Sequence, residues 1–160
     1  MASIISRRHV KCIRRPSVEP AALFGRFSTV LSEHADLGAL LDRMRDLFAD
    51  LREGRAGPTS DPGQLVEEFR RELRKHFTLE ENEQYFGTIA ADRPELKGEV
   101  LRLLAEHEDL MGALAPLQAA LQEPARRTEL TSLFETFREQ LRTHERAENA
   151  LLREYFDLRS

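Results

Sequence analysis

A single cysteine, Cys12, stands in the chain, and tryptophan is absent. One thiol excludes an internal disulfide and any zinc site built on clustered cysteines. Glycine and proline are sparse, eight and seven among 160 residues, and aromatics reach only 7%. That scarcity, in a chain rich in Leu, Ala, Glu and Arg, favours an all-α domain over a sheet. No apolar run approaches the ~18 residues that cross a bilayer. The first 20 residues also lack the continuous apolar core of a secretion signal. These absences lead us to expect a cytoplasmic protein with no membrane partner.

The net charge of -4 argues against a general nucleic-acid binder. Residues 1–20 differ, carrying Arg7, Arg8, Lys11, Arg14 and Arg15 against Glu19 alone. They read as a flexible basic arm, the one part of the chain suited to nucleic acid or another acidic surface. Cys12 lies in this arm away from the helices' histidines and is assigned no chemistry. The remainder, residues 21–157, is long enough to bury one core.

Within that remainder the apolar residues recur at alternating steps of three and four, the period of a packed helix. Leu23, Phe27, Val30, His34, Leu37, Leu41, Met44, Phe48 and Leu51 mark a first helix from Pro20 to about Glu53. After the loop 54–60, Asp61 caps a second helix, with Pro62 at its first position and Gln64 three after the cap. Its stripe is Leu65, Phe69, Leu73, His76, Glu80, and it fades near Ala90. Pro94 opens a third helix through Leu96, Val100, Leu103, His107, Leu110, Leu114, Leu117 and Leu121, which Pro116 should kink or fray. Pro124 begins a fourth, through Leu130, Phe134, Phe137, Leu141, His144, Glu148, Leu151 and Tyr155. Four long helices on short loops predict an up-down-up-down four-helix bundle.

Each helix thus carries one histidine on its apolar stripe. About two helix positions in seven lie on such a stripe, so four in four arise by chance with a probability of roughly 0.01. At ~1.5 Å per residue all four fall near the middle of the bundle. Two are followed one turn later by a carboxylate on the same face, as His76-x-x-x-Glu80 and His144-x-x-x-Glu148. Burying these groups without partners costs several kcal/mol, and a purely protein network would need every member satisfied. Nitrogen and oxygen donors without thiolate suit iron, manganese or zinc. Six of them exceed the needs of one tetrahedral zinc, and two carboxylates can bridge two ions. The residue three before each histidine is leucine, so the Glu-x-x-His signature of ferritin-like bundles is absent.

The order His34, His76-x-x-x-Glu80, His107, His144-x-x-x-Glu148, one element per helix, resembles the hemerythrin-like family of HHE cation-binding domains over about residues 21–157. The resemblance implies a non-haem centre of two iron ions, oxo- or hydroxo-bridged, that binds or reacts with dioxygen, peroxide or nitric oxide. It implies that Glu80 and Glu148 bridge the irons, with His34 and His76 on one and His107 and His144 on the other. Two departures bear on function. The family's oxygen carriers have His-x-x-x-His on the third helix, where this chain has Met111, a soft donor that does not replace imidazole on ferric iron. They also place an aspartate five after the last histidine, where this chain has Glu148 at four and Asn149 at five. Two histidines per ion leave an open position of the kind catalytic sites keep, unless Glu81 or Glu108 is recruited. Met111, Leu110, Leu114, Phe77, Phe137 and Leu151 would line an apolar pocket around it. Alternatives to oxygen binding or sensing are a di-iron peroxidase or oxidase, and a structural zinc-binding bundle without redox chemistry; zinc or manganese are the alternative metals.

Overall fold

The computed structural model describes residues 20–55, 57 and 61–156, except the side chains of residues 20–24, 26, 27, 31, 83 and 84. The basic arm, with Cys12, and the side chains of Leu23 and Phe27 therefore lie outside the described residues. No strand occurs among the described residues, and no helix there is long and apolar enough to cross a membrane.

Helix α1 spans Pro20–Arg52. It ends in a Schellman motif, where the Gly54 amide donates to the Leu51 carbonyl and the Arg55 amide to that of Asp50, at 3.3 and 2.8 Å. Gly54 takes a φ of +69° there, a conformation that costs glycine nothing. Helix α2, Pro62–Glu80, starts as its sequence dictates, with Asp61 Oδ1 accepting from the Gln64 amide at 3.0 Å and Pro62 in the first turn.

The second rod then departs from the expected single helix. Regular α-helix stops at Glu80, a π-helical turn occupies Glu83–Gly87, and α3 covers only Thr88–Asp92. The third rod begins with a 3₁₀ turn at Pro94–Leu96 and continues as α4, Lys97–Gly112. It breaks at Ala113 and Leu114 before α5, Ala115–Gln122. Pro116 has no N–H for the carbonyl one turn back, so the break falls where the sequence placed it. A 3₁₀ turn at Pro124–Glu129 leads into α6, Leu130–Tyr155.

Helix α1 packs against α2 and α6, and α4 and α5 each pack against the same two helices, closing a four-rod bundle. The core is not continuous. One apolar cluster holds Leu37, Met44, Phe48, Phe69, Phe77 and Phe137 with their neighbours. The other holds Val30, Phe86, Ile89, Leu103, Leu151 and Tyr155. Edge-on ring pairs, Phe48 with Phe134 and Phe69 with Phe137, fix the first cluster at centroid separations of 5.5 and 5.6 Å. Each fully buried Phe or Leu contributes roughly 1.5–3 kcal/mol, so both clusters hold the rods in register. Along each stripe the polar residue marks the boundary: Leu103, His107, Leu110 on α4, and Leu141, His144 and Glu148, Leu151 on α6.

Candidate metal centre

Between the two clusters lies a layer of histidine and glutamate. His76, Glu80, His107, His144 and Glu148 are buried to 3% exposure or less, and the His34 side chain reaches 14%. One group comprises His34, His76, Glu80 and Glu148, and the other Glu80, His107 and His144. In each, one potential donor atom per residue lies within 4.8 Å of every other. Glu80 belongs to both. Its Oε1 is 3.0 Å from His76 Nε2 and 3.9 Å from His34 Nε2, while its Oε2 is 3.2 Å from His107 Nε2. Glu148 Oε2 sits 3.4 Å from His34 Nε2. All six residues singled out in the sequence therefore meet in one layer.

Proximity here is not hydrogen bonding. Both Glu80 oxygens, His107 Nε2, His144 Nε2 and Glu148 Oε2 are buried with no aligned hydrogen-bond partner. Buried polar atoms are rarely left so, because each costs about 1–3 kcal/mol or more when charged. Five orphans brought together from three rods are the donor set that a cation satisfies at once. His34 Nε2 and His76 Nε2 approach to 3.1 Å, which bare imidazoles favour only by sharing a proton and which a shared metal ion explains as readily.

The opposite edges of three rings are anchored. His76 Nδ1 faces Glu33 Oε2 at 3.2 Å, His107 Nδ1 faces Glu81 Oε1 at 3.0 Å, and His144 Nδ1 faces Glu106 Oε2 at 2.9 Å. A carboxylate on Nδ1–H fixes the tautomer and leaves the Nε2 lone pair pointing inward, the usual support of a metal-bound histidine. Phe77 adds a second restraint, its ring stacked on His107 at 4.0 Å and 4°. Glu33 and Glu106 lie off the apolar stripes and are not among the residues the sequence pattern singles out. Their one signal is position: each directly precedes a stripe histidine and so faces the neighbouring rod.

Two expectations about extra ligands are corrected. Glu81 lies behind the His107 ring, so it orients a histidine rather than facing the interior. Glu108 is on the surface, 76% exposed and paired with Arg74 at 3.3 Å. The apolar residues named as one pocket also divide. Met111, Leu110, Leu114, Phe77 and Phe137 belong to the first cluster and Leu151 to the second, because the polar layer runs between them. A groove of about 470 Å³ between α4 and α6, lined in part by Glu106, Leu110, Thr143 and His144, opens beside the layer.

The electrostatics fit a site that trades protons for cations. Burial pushes the Glu80 carboxyl up, more than its contact with His107 offsets, and the Glu148 charge adds to the rise. Burial also pushes Glu148 up, but His34, Tyr85 and Glu80 together outweigh it and hold this carboxyl below its ordinary range. For His34 burial opposes protonation, yet Glu148 overrides it and raises the imidazole. Burial lowers His144 despite Glu106. The two buried carboxyls are thus pushed in opposite directions, Glu80 up and Glu148 down.

No curated protein and no solved structure matches the chain. A family model does: the hemerythrin HHE cation-binding domain aligns with residues 26–156, which include every residue of the polar layer. That family implies cation binding, and the orphaned His/Glu layer is where a cation fits. The chain belongs to the hemerythrin HHE cation-binding domain family.

Proposed function

We propose that the protein is a non-haem di-iron protein that binds or reacts with dioxygen or a related small oxidant, peroxide or nitric oxide. The carrying observation is the pair of donor groups joined through Glu80, one oxygen toward each. In this reading His34, His76 and Glu148 hold one ion, His107 and His144 the other, and Glu80 both. Hard carboxylates with borderline imidazoles and no thiolate suit iron better than a soft metal. When bound, two irons supply the electrons and vacant positions on which a diatomic oxidant can be held or reduced.

The chain's own residues do the rest. Glu33, Glu81 and Glu106 hold the tautomers that keep Nε2 available. The apolar clusters on both sides exclude bulk water and strengthen every charge interaction inside. Burial raises the Glu80 carboxyl, and a cation held by its oxygens would favour the ionised form and release of the proton. The group of His107 and His144 has three donors against four in the other, so its ion is the one with more room for an exogenous ligand. That asymmetry favours a second reading, turnover of peroxide at the three-donor side.

Anaerobic ferrous protein mixed with oxygenated buffer in a stopped-flow instrument tests the proposal. Rapid growth of near-ultraviolet charge-transfer absorption, lost in His76→Ala and in His144→Ala, is expected. A colourless protein that leaves oxygen and peroxide unconsumed contradicts it. Sustained peroxide consumption with an added reductant selects the enzymatic reading over the binder.

A further inference from the structure

Tyr85 belongs to neither donor group, yet it is 3% exposed and its hydroxyl donates to Glu148 Oε1 at 2.6 Å. Its presence on this side of the rod is a product of the backbone. Continued as regular α-helix, α2 would carry residue 85 about 140° round from Glu80. The bend after Glu80 and the π-helical turn at Glu83–Gly87 re-aim it. Such turns hold more residues per turn and recur at functional sites.

The consequence falls on the two glutamates unequally. Glu80 presents both oxygens to the interior, Oε1 on the side of His34 and His76 and Oε2 on the side of His107. Glu148 presents Oε2 to the interior, 3.4 Å from His34 Nε2, while its Oε1 is turned to the Tyr85 hydroxyl. It joins the first donor group and not the second. We infer that Tyr85 is a positioning residue that restricts Glu148 to the ion of His34 and His76, leaving Glu80 as the bridge and the two ion sites inequivalent. This rests on the two-ion reading above and departs from the symmetric pair of bridges that family resemblance implies.

The test uses the full chain and Tyr85→Phe, which keeps the ring and removes the donor. Stepwise anaerobic titration with Co(II), followed by its visible absorption and by calorimetry, reads each ion separately. The native protein is expected to bind a first ion more tightly than a second. Tyr85→Phe should narrow the ratio of the two dissociation constants by about 10-fold, the lower end of what loss of a ligand's supporting partner does. Both constants moving by one common factor, or neither moving, overturns the inference. Mössbauer spectra of ⁵⁷Fe-loaded native protein keep the question decidable should the variant fail to fold. Two quadrupole doublets of equal area support inequivalent sites, and one doublet overturns them. Uptake of only one Co(II) per chain defeats the two-ion reading itself, and is distinguishable from two equal ions, which defeats only the role of Tyr85.

Discussion

Three histidines in the centre are held from behind by a glutamate, and each glutamate comes from a different part of the chain than the ring it supports. Glu33 of α1 serves His76 of α2, Glu106 of α4 serves His144 of α6, and Glu81, just past α2, serves His107 of α4. Ligand orientation is therefore a property of helix packing as well as of side-chain rotamers. Glu106→Ala should weaken metal binding about 10–100-fold, and Glu106→Gln less, since an amide oxygen can still accept from Nδ1–H. Competition titration against a chelator measures it. The loss should concern the His144 ion only, and equal weakening of both ions would show that Glu106 acts through overall stability instead. Glu33 and Glu106 were not legible in the sequence because their positions lack the three-four period that singles out the ligands. An exposed-looking acid beside a stripe histidine becomes informative only once the neighbouring rod is known.

Helix α4 carries His107 and, one turn on, the buried Met111 just before the helix ends at Gly112. If the three-donor group lacks a ligand because of this residue, Met111→His should supply one at the spacing that brings side chains to a common face. Iron retention should rise and peroxide consumption should fall in that variant. Met111→Leu, nearly isosteric, should cost under about 1.5 kcal/mol and change neither. Chelator-challenge kinetics and a peroxide assay on both variants check this, and an unaltered Met111→His protein contradicts an open position there. Among the elements, α1, the start of α2, the break at Pro116 and the course of α6 were all legible, since period, cap and proline each have a local physical cause. The π-helical turn was not. It interrupts a rod whose residues Tyr85, Phe86 and Ile89 are apolar enough to continue a helix, and no local residue announces the extra one. The residue it re-aims, Tyr85, was invisible for the same reason.

Across the whole molecule, the polar layer divides the apolar core, so stability and metal loading are coupled. In the metal-free protein the Glu80 carboxyl is raised to about 8 from an ordinary 4.5, and the native state then binds a proton that the unfolded chain releases. Its contribution is fully present below the ordinary value and is lost as pH rises toward 8. His34, also raised, acts in the same direction, while His144, lowered, opposes it. Metal-bound protein needs the ionised carboxylate and neutral imidazoles, so its added stability grows with pH. The gap in melting temperature between metal-loaded and chelator-treated protein should therefore widen as pH rises from about 5 to 8. At free metal 100-fold above Kd the added stability reaches ~2.7 kcal/mol. Thermal melts of both forms across this range check the sign, and a gap that is constant or narrows with pH contradicts the coupling.

That coupling and the oxidant chemistry presuppose a pair of irons in the layer that six sequence positions define. Elemental analysis of the full chain, purified in air without added metal and referenced to protein by quantitative amino-acid analysis, tests it most directly. The account predicts about two irons per chain in native protein and a loss of bound iron in His76→Ala and His144→Ala. One tightly held zinc per chain, with no iron gained on anaerobic incubation with ferrous salt, would contradict it.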